Sequence, residues 1–221
     1  MLEKRIIPCL LLHKGGLYKT EKFKKPTYIG DPINAIKIFN EKEVDELILL
    51  DIDAAAKNNE PNYKMIDDIA SECFMPLCYG GGIKNVQQMK MVYSLGVEKI
   101  SISSEAFLNP DLIKEASGIF GNQSVLVTID IKRDFFGNKK VFIKNGLINT
   151  KLDPLVFFKR MEALGAGEIV INSIDNDGVM KGFDLELLRL LKSNSNIPVI
   201  ALGGAGNLEH IREAFEISKI D

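Results

Sequence analysis

A segment in the middle of the chain returns near its end. Met75-Pro76-Leu77-Cys78-Tyr79-Gly80-Gly81-Gly82-Ile83-Lys84-Asn85 resembles Ile197-Pro198-Val199-Ile200-Ala201-Leu202-Gly203-Gly204-Ala205-Gly206-Asn207. Pro76 and Pro198, Gly81 and Gly203, and Asn85 and Asn207 each stand 122 positions apart. At the same offset Asp45-Glu46-Leu47-Ile48-Leu49-Leu50-Asp51-Ile52-Asp53 matches Gly167-Glu168-Ile169-Val170-Ile171-Asn172-Ser173-Ile174-Asp175, which sets Glu46 against Glu168 and Asp53 against Asp175. A repeat this long is larger than a single supersecondary unit, so the chain is built from two similar halves.

The segments inside each half set the fold class. Short runs rich in Ile, Val and Leu occur at Ile6–Leu12, Leu47–Asp51, Pro76–Tyr79, Lys99–Ile102, Val125–Ile129, Glu168–Ile171 and Pro198–Leu202. They are continuously apolar, as strands of a parallel sheet covered on both faces must be. Longer amphipathic stretches lie between them: Pro32–Phe39, Tyr63–Cys73, Val86–Leu95, Asp111–Ala116, Pro154–Leu164, Leu185–Leu191 and Leu208–Phe215. Asp31-Pro32 and Asp153-Pro154 are helix starts, with a capping carboxylate followed by proline in the first turn. Strand then helix, repeated in two halves of four units, predicts a (β/α)8 TIM barrel with half-barrels at about 1–122 and 123–221. An open doubly wound sheet does not predict the duplication. No linker divides the 221 residues, so one domain is expected.

Two repeats of this length need about 244 residues, and the counterpart of Lys99–Ile102 would follow Asp221. The eighth β/α unit is therefore expected to be missing from this chain; an open seven-stranded barrel would leave an unpaired edge, so either a C-terminal tail is absent, the favoured reading, or something else caps the gap.

Composition removes other classes. With 46% hydrophobic and 26% charged residues there is enough apolar surface to offset chain entropy, which excludes a mainly disordered chain. A net charge of −2 lacks the basic excess of a nucleic-acid binder. No apolar run reaches the length of a membrane span, and Met1-Leu2-Glu3-Lys4-Arg5 leads into strand sequence without a cleavage pattern. Three cysteines, Cys9, Cys73 and Cys78, have no metal-ligand spacing. Reduced thiols in a cytoplasm, with no metal and no cofactor, are the expectation.

In a barrel, chemistry sits on the loops that follow the strands. Gly80-Gly81-Gly82 and Gly203-Gly204-Ala205-Gly206 occupy symmetric positions after two strands. Glycines let backbone N–H groups approach a phosphate, and a symmetric pair of such loops fits a ligand phosphorylated at both ends. Ser173-Ile174-Asp175-Asn176-Asp177-Gly178 reads in two ways: as a polar loop held by Asx turns, or as acidic residues that orient a sugar hydroxyl or a water. Asp130 ends an apolar strand, where burial raises a carboxyl pKa into the range of a general acid or base; the plainer readings are a helix cap or an ion pair with Lys132 or Arg133. The stretch from His13 to Asp31 carries Gly15, Gly16, Lys14, Lys19, Lys22, Lys24 and Lys25. It reads as a mobile basic lid over an anionic ligand. At the other end, Arg5, Glu46, Lys99 and Glu168 each begin a strand. They form a charged ring that either satisfies itself structurally or gates a passage.

The opening Leu2-Glu3-Lys4-Arg5-Ile6-Ile7-Pro8-Cys9-Leu10 resembles the start of the cyclase subunit of imidazole glycerol phosphate synthase. Asp45-Glu46-Leu47 with Leu50-Asp51-Ile52, Gly80-Gly81-Gly82-Ile83, Lys99-Ile100-Ser101-Ile102, Asp130 with Lys132-Arg133, Gly165-Ala166-Gly167-Glu168-Ile169, Ser173-Ile174-Asp175 with Asp177-Gly178, and Gly203-Gly204-Ala205-Gly206 extend the resemblance in order along the whole chain. The resemblance implies a (β/α)8 barrel that takes ammonia from a glutaminase partner docked on its bottom. The ammonia passes a charged gate and reacts with a bis-phosphorylated ribulosyl nucleotide. It further implies that Arg5, Glu46, Lys99 and Glu168 are the gate, that Glu98 belongs to the docking face, and that Lys19 is the lid lysine. Gly81, Gly82, Ser103, Ser104, Asp175, Asp177, Gly178, Gly203 and Gly204 fall where substrate and phosphate contacts are implied.

One position departs from the family. The resemblance implies two catalytic carboxylates, at the ends of strands one and five. Asp130 fills the second, but Leu11 stands at the first, and leucine transfers no proton. Ser103 and Leu202 also replace the usual residues, whereas the gate is intact. The combination resembles a divergent paralogue that supplies ammonia for an acetamidino modification of a surface-polysaccharide sugar. The ordinary cyclase, a phosphoribosyl isomerase of the sister family and a non-catalytic phosphate-binding scaffold are the alternatives. A working cyclase would need His13 or a lid residue in place of the missing carboxylate.

Overall fold

The computed structural model describes residues 4–57 and 59–221, and the backbone alone of 55–57; the Leu2-Glu3 start of the N-terminal motif lies outside them. In the first half of the chain, the elements are β1 (Cys9–His13), β2 (Gly16–Glu21), β3 (Lys24–Gly30), α1 (Pro32–Glu41), β4 (Leu47–Asp51) and α2 (Ile52–Lys57). Next come α3 (Tyr63–Ala70), β5 (Leu77–Gly80), α4 (Val86–Ser94), β6 (Lys99–Ile102), α5 (Ser104–Leu108) and α6 (Asp111–Phe120). The second half contains β7 (Val125–Arg133), β8 (Lys139–Ile143), β9 (Ile148–Asn149), α7 (Pro154–Ala163), β10 (Glu168–Ser173), α8 (Leu185–Ser193), β11 (Val199–Leu202) and α9 (Leu208–Ser218).

The seven apolar runs are the seven parallel strands, in the order β1–β4–β5–β6–β7–β10–β11, while β1 and β11 do not pair with each other. The sheet is curled, and alternate residues face opposite sides. Leu47, Leu49, Val125 and Val127 pack outward against helix residues such as Ile36, Ile66 and Met89. Their neighbours Ile48 and Leu126 pack inward with Cys78, Val170 and Ile200. Two cores, one between strands and helices and one inside the curl, are the packing signature of a (β/α) barrel.

The repeat reappears as local geometry. Asn85 and Asn207 cap α4 and α9, each accepting a backbone N–H three residues on at 2.9 Å. Asp31 and Asp153 cap α1 and α7 with proline in the first turn. The first strand of each half also runs on into an antiparallel hairpin: β2–β3 on β1, and β8–β9 on β7. In both halves an aspartate after the next parallel strand anchors that hairpin. Asp53 accepts the Lys14 N–H at 2.7 Å, and Asp175 accepts the Arg133 N–H at 2.9 Å.

These hairpins refine the sequence reading. The expected lid loop is an ordered β-hairpin, because Leu11–His13 and Gly16–Tyr18 complete a backbone ladder. Val125–Arg133 continues four residues beyond the expected Ile129, since β8 pairs with its end. Among the described residues no helix is long and apolar enough to cross a membrane.

Candidate functional site

Steps of two residues along the parallel strands move up the barrel interior. The lowest layer is the charged ring. Arg5 Nη1 lies 3.0 Å from Glu46 Oε2 and Arg5 Nη2 lies 3.2 Å from Glu168 Oε1. Lys99 Nζ bridges the same two oxygens at 2.8 and 3.1 Å. Glu46 is 2% exposed, so its charge is carried by these two cations rather than by water. The second oxygens, Glu46 Oε1 and Glu168 Oε2, are buried without a partner among the described residues. All four sequence-predicted gate residues are thus in one closed circuit. Glu98 lies beside it, exposed. Above the ring come the inward apolar side chains, and then Ser101 and Thr128, whose hydroxyls share a buried hydrogen bond of 2.8 Å.

Asp130 tops β7. It does not pair with Lys132 or Arg133 and caps no helix. Ser103 Oγ donates to Oδ2 at 2.9 Å and Asn172 Nδ2 donates to Oδ1 at 3.0 Å. Burial pushes its carboxyl up to about 6; the two hydrogen bonds oppose the rise and the Asp177 charge adds to it. A carboxyl titrating there exchanges its proton near neutral pH, as general acid–base chemistry requires. Cys9, on the same cavity wall, has its thiol pushed up to about 12 by burial first, then by Asp177 and Asp130. At that value it is a neutral lining group, not a nucleophile.

Asp130 opens into a cavity of about 310 Å³ at the strand ends. Lys19, Gly81, Gly82, Ser103, Ser104, Asp177 and Gly178 share its lining with Asp130. The structure therefore brings together eight of the residues singled out in the sequence. Leu11, Leu50 and Leu202 supply apolar wall, and Leu11 sits directly across the β1–β4 pair from Leu50. Gly81 has φ +127, and a Cβ there would lie 2.5 Å from the Asp51 carbonyl, so only glycine lets this turn pass so close to β4.

Asp175, Gly203 and Gly204 are not among the residues lining that cavity. Asp175 is occupied by the Arg133 N–H, and the Gly204 carbonyl accepts from the Gly182 N–H at 2.9 Å. His13 is also absent from the lining: its Nδ1 contacts Asp53 Oδ1 at 3.0 Å and its ring meets Tyr18 edge-on. His210 Nδ1 accepts the Gly206 N–H at 3.2 Å beside the second glycine loop.

The β2–β3 hairpin closes over the mouth. Thr20 Oγ1 donates to Asp177 Oδ2 at 3.1 Å, and the Lys22 N–H donates to the Asp177 carbonyl at 2.9 Å. Burial pushes the Asp177 carboxyl up, with the lid's hydrogen bonds working the other way. A second closure, from β8–β9, was not legible as such: Asn145 Nδ2 donates to the Ile52 carbonyl at 3.0 Å and the Lys144 N–H to Ser104 Oγ at 2.9 Å. Asn172, Asn145 and Lys144 were missed by sequence reasoning. For Asn172 the signal was a polar residue inside an apolar strand; Lys144 and Asn145 carried none, because their hairpin follows a strand that already looked complete. Among the described residues no group of three or more His, Cys, Asp or Glu is placed to hold a metal ion.

Comparison with known proteins agrees with this geometry. The family model described as "Histidine biosynthesis protein" matches residues 5–221. A Pseudomonas aeruginosa protein provisionally named imidazole glycerol phosphate synthase subunit hisF2 is 54% identical over 216 residues, 98% of this chain and 86% of that protein. A Vibrio vulnificus protein provisionally named subunit hisF3 is 50% identical over 221 residues, 100% and 85% of the two chains. The imidazole glycerol phosphate synthase subunit HisF of Streptococcus mutans is 41% identical over 216 residues, 98% and 86%. With the barrel, the charged ring and the family match in agreement, the chain belongs to the histidine-biosynthesis barrel family, as a subunit of the imidazole glycerol phosphate synthase type.

Proposed function

We propose that this chain receives ammonia from a glutaminase partner at the barrel bottom and conducts it upward, supplying it for the acetamidino modification of a surface-polysaccharide sugar. The observation that carries this reading is an asymmetry between the two ends of one barrel. At the bottom, Arg5, Glu46, Lys99 and Glu168 form a complete circuit with exposed Glu98 beside it. At the top, the cavity holds Asp130 and Lys19 but presents Leu11 where the family's other carboxylate is implied. Removing one member of an acid–base pair costs about 10²–10⁴ in rate. The machinery for taking up ammonia is retained while that for cyclisation is halved. His13, the natural substitute proton carrier, is engaged by Asp53.

The alternative, cyclase activity on the bis-phosphorylated ribulosyl nucleotide, is favoured by one observation: an Asp130 carboxyl at about 6 facing the same cavity as Lys19. Ammonium-dependent consumption of that nucleotide, measured for the unaltered protein beside Leu11→Asp, separates the two. The ammonia-supplying reading expects an inert protein that gains turnover on Leu11→Asp. Turnover by the unaltered protein at the rate normal for the family would sink it.

A further inference from the structure

We infer that Lys144 is a binding residue for one phosphoryl group, held over the Gly82–Ser104 end of the cavity by the β8–β9 turn. The inference rests on the proposed reading of the cavity as a phosphorylated-ligand site and assigns the cation that serves one end of it. Four observations lead there. Lys144 lines the cavity together with Gly82 and Ser104. Its backbone N–H donates to Ser104 Oγ at 2.9 Å, which occupies an acceptor lone pair of that hydroxyl and leaves its proton to be donated to an anion. The residue is half-buried, and among the described residues no carboxylate lies within salt-bridge distance of its ammonium. Glu105 lines the same end and makes no ion pair with it. Finally, the turn is fixed rather than free. Asn145 ties it to the Ile52 carbonyl across the mouth, and a Cβ at Gly146 would lie 3.4 Å from the Phe23 ring of the β2–β3 hairpin.

A half-buried lysine at the cavity wall with no carboxylate partner among the described residues leaves its ammonium available to an anionic ligand. The group that fits beside glycine N–H groups and a donating hydroxyl is a phosphate monoester dianion. Lys19 and Lys144 then act from two hairpins that follow strands one and five. The two jaws meet where Phe23 approaches Gly146, so closure of one supports the other.

The test uses the full chain with inorganic phosphate and ribose 5-phosphate as probes and ribose as the uncharged control. Lysine-selective acylation, mapped by peptide mass spectrometry, should show Lys144 protected by either phosphate and not by ribose, with exposed Lys151 and Lys181 unchanged. Lys144→Met should weaken ribose 5-phosphate binding roughly 10- to 100-fold, the range for a charge-assisted hydrogen bond, with an unaltered unfolding midpoint. Lys144→Arg should retain most of the affinity. If Gly82→Ala abolishes binding while Lys144→Met binds like the unaltered chain, the inference falls and the phosphate-site reading stands. If the unaltered chain binds neither probe, both fall together.

Discussion

Asn172 and Asp130 stand directly opposite each other in the β7–β10 pair, and Asn172 Nδ2 donates to Asp130 Oδ1 at 3.0 Å. This donor, with Ser103 on the other oxygen, restrains the upward push of burial on the carboxyl. Replacing Asn172 by Leu removes a hydrogen bond to a charged group, worth about 1.5–3 kcal/mol. The Asp130 pKa should therefore rise by about one unit or more above its value of about 6. Carbon-13 carboxyl NMR titration checks it, and Ser103→Ala should move the same resonance in the same direction. An unmoved titration would mean that burial alone sets the proton affinity.

The same carboxyl makes stability depend on pH with a definite sign. Unfolded, it titrates near 3.8; folded, near 6. Between these values the folded state holds a proton that the unfolded state has released, so Asp130's contribution to stability declines as pH rises through the window. Above it the buried charge is a penalty of about 3 kcal/mol. Asp130→Asn should accordingly be more stable than the unaltered chain at pH 7 and nearly equal to it at pH 3.5, by urea unfolding. Equal midpoints at both pH values would show that Asp130 bears no such penalty.

Reading the sequence recovered what is periodic. Leu47–Asp51 and Lys99–Ile102 are strands with the expected bounds because their ends coincide with changes in hydrophobicity. The ring of Arg5, Glu46, Lys99 and Glu168 was readable because Lys99 and Glu168 begin strands and Glu46 directly precedes one; Arg5, expected to begin the first strand, instead lies four residues before β1 and still reaches the same layer. What escaped depends on pairing between distant segments. Whether Lys14–Gly30 is a loop or a hairpin is decided by its ladder with β1. Whether Asp175 meets a ligand or a backbone N–H is decided by where β7 ends. Neither fact has a local sequence signature.

The ring predicts a coupling that can be measured. Glu46 is 2% exposed and is neutralised by Arg5 and Lys99 together. Lys99→Met leaves Arg5 alone with the buried Glu46 and the part-buried Glu168 carboxylates and should cost about 3 kcal/mol, the lower end for breaking a buried pair. Adding Glu46→Leu removes the uncompensated charge, so the double variant should lose less than the sum of the single ones. Equilibrium urea unfolding of the four proteins gives the coupling directly, and strict additivity would mean that the two side chains do not sense each other.

Gly178 is the point on which the lid rests. Its φ is +69, and a Cβ there would lie 2.0 Å from the Thr20 carbonyl, far inside van der Waals contact. Alanine at 178 must push the β2–β3 hairpin off the Asp177 loop. That breaks the Thr20 Oγ1–Asp177 bond and the Lys22 N–H to Asp177 carbonyl bond, and costs about 1–3 kcal/mol locally. Lys22, Lys24 and Lys25 sit on this hairpin, so limited trypsin digestion reports its closure. Gly178→Ala should be cut there faster than the unaltered chain, and Thr20→Val, which removes one bond without a clash, should fall between them. Equal cutting of all three would mean that the hairpin is held by its ladder with β1 and not by its seat on Gly178.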